Sequence, residues 1–578
     1  MSSRWTDQML QEARRQGDPD ADRIIAEILS PTGRDAGLTR RSYNHLLDLA
    51  TILVGNPELG LISGSLLRKE FDESGQAGRF FEPVVAPDWV DEAKLARASA
   101  IWEVDSILAI AVLYASSLPA CYLMKKGVPA LYRTEKLAEQ AYIFQRIFET
   151  GLMLEDVMKA GGISITYDNH VHQDQVLAEV LERHDPGGRW APHFGGLRRG
   201  AGEPATALDT AAVRRDFIAA KSGTTRYIWG GGFMAARKVR FLHAAMRLML
   251  QQTPPPPPTP AEPAQNFMEN AASRPAWDVN ELGVPINQED LAFVLLTFGY
   301  LIPKGMETWG RKVPRRDKEA FLHLWRVVGY TMGIREDLMT DNLDEAAALY
   351  QQILKRNGAS SEQGQILATA EMDFLRSYIP ARLGLDQIVP PALIIDQLGP
   401  EWAEMVIVKK DYDAAMRLVP RTIHAFVRGS VKTYFWLRDH ILRHVPVLGS
   451  TVADITATAS NTLIDSWRDS FRREPFYIPA QATRWMADRG VTPEYKASLQ
   501  AWRQQLFDSV AAGLLSIITA GFAMSFALVY FVLDWSRERN IALVVTIAMF
   551  SLGVWLLTKR LSKIADKRPA LADERPRT

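Results

Sequence analysis

Residues 236–250 read ARKVRFLHAAMRLML. No Pro or Gly interrupts them, and residues three and four apart on a helix share a face. Arg240, His243 and Arg247 therefore form one stripe, and Val239, Leu242, Met246 and Leu250 an adjacent apolar one. A His flanked by Arg one turn to either side is costly to bury unless each charge has a partner. A haem offers such partners, because imidazole can bind the iron and guanidinium groups can pair with propionates. For this helix taken alone, the plainer reading is preferred: an Arg face that meets water.

Outward from this stretch the chain keeps the same period. Apolar residues at helical spacing recur over 137–158, 289–301, 318–333, 342–356 and 361–377, and the pattern continues through 385–480. No internal repeat is present, and no alternation of strands with helices suggests a parallel sheet, so the fold class is mostly α. Residues 1–95 read as a helical region with polar surfaces and no evident chemistry. Residues 96–380 read as the main domain. Within it, 160–225 is rich in Gly, His, Asp and Arg and reads as an irregular insertion, with a short strand at its start (GGISITYD). The Pro-rich segment 253–260, with its run Pro254–Pro258, ends the central helix and favours exposed polyproline II. Ile107 to Leu118 is apolar but too short to span a bilayer, and reads as a core helix. A further helical region covers 381–505.

The end of the chain differs in kind. Residues 510–533 (VAAGLLSIITAGFAMSFALVYFVL) and 541–558 (IALVVTIAMFSLGVWLLT) carry no charge, and only DWSRERN separates them. Each approaches the roughly 20 apolar residues that cross a bilayer, so 510–558 is expected to form two transmembrane helices. The basic tail 559–578 opens with Lys559, Arg560, Lys563, Lys567 and Arg568. The positive-inside tendency places it, and the body returned to the same side by two crossings, in the cytoplasm. Arg537 and Arg539 in the loop pull the other way. A hairpin buried in a globular core is the alternative.

Composition excludes several classes. Lys+Arg and Asp+Glu both number 67, so no excess of positive charge marks a nucleic-acid partner. A single cysteine, Cys121, rules out a disulfide framework or a multi-cysteine metal site. The N-terminus MSSRWTDQMLQEARRQG lacks the apolar stretch of a signal peptide.

A second chemical element is Arg146–Ile–Phe–Glu149–Thr150. Arg146 and Thr150 share a face, and Phe144, Ile147 and Phe148 give an apolar setting in which a base and hydrogen-bond donors could serve oxygen chemistry. An ordinary surface Arg–Glu pair is the alternative. Other histidines compete with His243. His170 and His172, with His184 and His193, could hold a divalent metal, but no helix or strand fixes them. His424 and Arg428 repeat the H-x-x-x-R spacing without an Arg three residues before. His323 fits a packing role. The chain has no C-x-x-C-H, which excludes covalent haem attachment, and Cys121 in SSLPACYLM does not look like a thiolate ligand loop.

RKVRFLHAAMR at 237–247, INQEDLAFVLLTF at 286–298, FLHLWRVVGYTMGIRED at 321–337 and SSLPACY at 116–122 together resemble the catalytic domain shared by the ER-bound oxygenases of the mycophenolic acid type and the rubber oxygenases (latex clearing proteins). The resemblance runs over roughly 96–380. It implies a globin-related helical domain with one haem b, its iron held by His243, with Arg240 and Arg247 beside it. It places the distal turn on Arg146, Glu149 and Thr150. Two departures stand out. The family pattern has a Lys, able to ligate iron, where this chain has Glu149. The interval from Thr150 to His243 is also much longer here. The resemblance implies a haem oxygenase that uses O2 on an unsaturated lipophilic or polyprenyl substrate, and the expected C-terminal hairpin would let an anchored enzyme draw such a substrate from the bilayer. Glu149 would then be the distal base, ordered by Arg146 and Thr150. Polymeric rubber is not expected as substrate, since no export signal is seen. A non-catalytic, membrane-tethered haem-binding or helical interaction protein is the alternative, and the Glu149 departure is what favours it.

Overall fold

The structure, a computed structural model, describes residues 4–29, 80–133, 150–151, 153–167, 225–251, 277–376, 385–418, most positions from 424 to 436, scattered positions between 501 and 523, and 536–555. Two helices open it, α1 (Asp7–Arg14) and α2 (Pro19–Leu29). Thr6 caps α1 by accepting the Met9 amide, and Asp18 caps α2 by accepting the Ala21 amide, with Pro19 in the first turn. A short strand, β1 (Val84–Val85), leads to α3 (Glu92–Val112), whose N-terminus is closed by Asp91 taking the amides of Ala93 and Lys94. A π-turn at Leu113–Ser117 passes the chain into α4 (Leu118–Tyr122), and α5 (Val128–Arg133) follows.

Next come β2 (Ser164–Tyr167), β3 (Arg226–Trp229) and the long helix α6 (Gly231–Gln251). The strands form one antiparallel sheet in the order β1-β3-β2, with Ile228 opposite both Val84 and Ile165. After α7 (Val279–Leu282), α8 (Gln288–Leu296) runs through a second π-turn, Thr297–Leu301, into α9 (Ile302–Thr308). Then follow α10 (Arg315–Thr331), α11 (Leu343–Asn357), α12 (Glu362–Arg376), α13 (Leu385–Leu398), α14 (Pro400–Val406), α15 (Lys409–Leu418) and α16 (Ser536–Trp555). The described residues are thus mostly helical, as the periodicity predicts.

The core is built on α10. Ala320, Phe321, Leu324, Val327 and Val328 recur at helical spacing and are buried. This face packs along α3 and the second π-turn, where Trp325 stacks on Phe298 with ring centroids 4.7 Å apart. Each such buried large side chain contributes about 1.5–3 kcal/mol. α2 lies on α6 and α1 on α8, so the N-terminal helices are part of the same packed body.

The apolar stretch at Ile107 is a core helix. Asp105–Tyr122 has the length and hydropathy of a span, yet 72% of it is buried inside the protein. The strand expected in GGISITYD is β2, whereas β1 and β3 have no counterpart in the sequence reading. Residues 168–224 and the Pro-rich segment lie outside the described residues. So does most of the first expected membrane helix. The second overlaps α16, which exposes Ile541, Val544, Ile547, Leu552 and Trp555.

Candidate functional site

α6 starts in a confined place. Gly230 has φ +119°, and a Cβ there would sit 2.4 Å from the Gly162 carbonyl oxygen. A Cβ on Gly232 would meet the Val157 Cα at 2.5 Å. Only glycine allows this approach. The amides of Gly232 and Phe233 both donate to the Gly162 carbonyl, at 2.8 and 3.3 Å. The helix is therefore anchored on β2's approach before its functional stripe begins.

The stripe itself is neither free nor water-facing. Arg240 is buried and meets Asp18 with two bonds, Nε to Oδ2 at 2.5 Å and Nη2 to Oδ1 at 2.7 Å. Arg247 is buried and donates Nε to Asp22 Oδ1 at 2.7 Å and Nη1 to the Ile286 carbonyl at 2.9 Å. His243 lies between them, half-buried, beside half-buried Val239 and Leu242 and buried Met246. The plainer reading of an Arg face meeting water is overturned. Both guanidinium groups have carboxylate partners, and both partners come from α2 and its cap, a region whose sequence shows no chemistry of its own.

A third cation, Arg237, is buried and has no carboxylate partner among the described residues. Its Nη1 reaches the Thr331 carbonyl at 3.4 Å, and its guanidinium carbon lies 4.8 Å from the Phe80 ring centroid. Burial, with Arg240 nearby, pushes its pKa down to about 9.

The phrase INQED has a structural task. Glu289 is fully buried and accepts from Arg14 Nε at 2.7 Å, Asn357 Nδ2 at 2.9 Å and Arg356 Nε at 3.1 Å. Asp290 accepts from Arg14 Nη2 at 2.7 Å. Gln288 Nε2 donates to the carbonyls of Gly17 and Gly333, at 2.8 and 3.0 Å. The start of α8 thus grips the loop between α1 and α2.

The other candidates separate. His323 Nε2 accepts the Asp91 amide at 2.9 Å, and burial pushes its pKa down to about 4. It is a neutral structural histidine. His424 Nδ1 pairs with Asp396 at 2.7 Å. Cys121 is buried 3.8 Å from the Thr297 hydroxyl, and burial raises its thiol to about 12, so it offers no thiolate. Thr150 is half-buried and helical, whereas Arg146, Glu149, His170, His172, His184 and His193 lie outside the described residues. Among the described residues no three His, Cys, Asp or Glu side chains converge on a metal position. A groove of about 420 Å³ opens between α3 and β2, lined by Leu95, Ser99, Glu103, Ile163, Ile165 and Trp229. It sits at the start of α6, roughly 18 Å along the axis from His243 at 1.5 Å per residue.

Residues 223–431 match the family described as ER-bound oxygenase mpaB/B'/Rubber oxygenase, catalytic domain. This stretch is similar to that catalytic domain. The rubber oxygenase of Streptomyces sp. (strain K30) is 27% identical over 140 residues, which cover 24% of this chain and 29% of that protein. The alignment therefore spans less than a third of the curated relative. A structure titled latex clearing protein in the closed state is similar with a TM-score of 0.43 and 17% identity, covering 72% of this chain and 85% of that one. The rubber-oxygenase-type stretch holds all of α6 and α8, hence His243, Arg240, Arg247 and INQED. Asp18 and Asp22 fall outside it.

Proposed function

We propose that this protein is a membrane-anchored, b-type haem-dependent oxygenase acting with O2 on an unsaturated lipophilic, isoprenoid-like substrate, in a helical domain related to the globins. The observation that carries the reading is the setting of His243. It lies within the stretch similar to the oxygenase domain, on a helix fixed by two ion pairs, half-buried beside apolar Val239, Leu242 and Met246.

The donor set suits a haem. A porphyrin supplies four nitrogens, so one imidazole from the chain suffices and no cluster of side-chain ligands is required. A half-buried imidazole beside Val239, Leu242 and Met246 matches a flat apolar ring in chemistry. His243 would hold the iron. Because Arg240 and Arg247 are engaged with Asp18 and Asp22, bracing His243 is the role their geometry favours over pairing with haem carboxylates. Bound haem would supply the redox-active iron for dioxygen chemistry. Glu149 would hold or move a proton on the distal side, with Arg146 and Thr150 ordering the groups around it.

The substrate class agrees with the anchor. An isoprenoid chain partitions into lipid, and α16 exposes an apolar surface of Ile541, Val544, Ile547 and Leu552 that water does not favour. With the charge-free 510–533, it would place the enzyme at the membrane, its body on the cytoplasmic side. Oxygen consumption by the detergent-purified full chain tests the reading. A polyprenyl alcohol should raise uptake and a saturated chain of equal length should not. Equal uptake with both would contradict the substrate class.

A further inference from the structure

We infer that the N-terminal segment is a working part of the site: Asp18 and Asp22 are positioning residues that fix the orientation of His243. This rests on the proposed ligation of haem iron by His243.

Arg240 is three residues before His243 and Arg247 four residues after it, so the two cations mark the turns on either side of the imidazole. Asp18 and Asp22 are themselves one turn apart on α2 and its cap. Asp18 holds Arg240 through both carboxylate oxygens, and Asp22 holds Arg247 at 2.7 Å. The two acids are also coupled, because the Asp18 amide donates to Asp22 Oδ2 at 3.0 Å. A helix pinned through two arms on one face cannot turn about its axis without parting both pairs, and turning is the motion that would redirect the imidazole.

The arms have no slack. A Cβ at Gly333 would lie 2.6 Å from Nε, Cζ and Nη2 of Arg240. A Cβ at Gly17 would lie 3.0 Å from Cδ and Nε of Arg247, and 2.6 Å from Asp22 Oδ2. Both glycines let backbone close directly over a guanidinium group. The loop carrying Gly17 is held in turn by the Gln288 side chain on its carbonyl and by the Gln288 amide on the Gln16 carbonyl, at 2.8 and 3.0 Å. The chain thus supplies an outer shell for its histidine from a segment about 220 residues upstream, as the separation of 222 between Asp18 and Arg240 shows. The two carboxylates act on the imidazole through the arginines and the α6 backbone, and loss of groups that orient a metal-binding imidazole typically weakens metal binding.

The test uses the full-length protein in detergent, stripped of haem and titrated with hemin, for wild type, Asp18→Asn, Asp22→Asn and Asp105→Asn. Asn caps a helix as well as Asp does, so Asp18→Asn removes charge while sparing the cap. Asp105→Asn breaks another buried ion pair, Asp105 with Arg311 at 2.9 Å, which joins α3 to the turn after α9. The expected result is hemin binding weakened by about 10- to 100-fold in the first two variants. Their electron paramagnetic resonance spectra should also be altered, with Asp105→Asn matching wild type in both. Wild-type binding and spectra in Asp18→Asn and Asp22→Asn would overturn the inference, as would an equal loss in Asp105→Asn. Should Asp18→Asn not fold, Asp22→Asn decides alone, since its carboxylate is partly exposed. A wild type that binds no hemin overturns the haem reading itself, and the inference with it.

Discussion

Arg237 and Arg240 stand three residues apart on α6 and meet opposite fates. Arg240 is matched by a carboxylate that is itself buried, with 3% of the Asp18 side chain exposed. Among the described residues, Arg237 has aromatic rings and one long bond to a carbonyl, and its Nε has no hydrogen-bond partner. Removing one member of a buried pair strands the other charge and costs about 3–5 kcal/mol. Removing a buried charge that has no counter-ion strands nothing. Urea unfolding should therefore show Arg240→Met several kcal/mol less stable than wild type, and Arg237→Met within about 1 kcal/mol of wild type or more stable. Equal losses in the two variants would show that the ion pair with Asp18 is not what holds Arg240.

Among the elements, α3 and α10 are tied by His323. Its Nε2 takes the Asp91 amide at the very residue that caps α3. Burial is the main cause of its fall from 6.5 to about 4, with Lys94 and Arg326 adding to it and Asp91 opposing. The folded state keeps this ring neutral while the unfolded chain protonates it near its ordinary value. The unfolded state therefore binds more protons between those limits, and stability falls as pH drops from about 6.5 to about 4. The loss attributable to this residue is up to about 3 kcal/mol. Unfolding midpoints at pH 7 and pH 5 should differ more in wild type than in His323→Gln. An identical pH response in both would remove His323 as the cause.

The elements also show what a single sequence makes legible. α6, α10, α11 and α12 could be read because their apolar faces repeat at the helical period over three turns or more. β1 is two residues long, and β3 is four residues set between an insertion and a helix, so neither has room for a period. The π-turns arise inside runs that read as plain helix. His243 could be selected from its neighbours and the family phrases. Asp18 and Asp22 could not, because nothing within DPDAD reports a helix that follows more than 200 residues later. Long-range pairing of charges leaves no local pattern.

At the scale of the molecule, the two ends present different surfaces. The N-terminal helices are locked into the domain. Trp5 is buried and donates its Nε1 to the Asp337 carbonyl at 2.8 Å, and Arg14 closes on Glu289 and Asp290. α16 instead turns apolar residues outward, so the full chain should stay with the membrane fraction through alkaline carbonate washing and leave it only with detergent. Release by carbonate alone would contradict a spanning anchor. Between these ends lies His243, proposed to hold a haem iron. The most direct measurement is the absorption spectrum of the full chain purified in detergent from haem-replete cells, beside that of His243→Ala. A Soret band should be present in wild type and absent from the folded variant. A colourless, folded wild type, or a variant with an unchanged band, would contradict it.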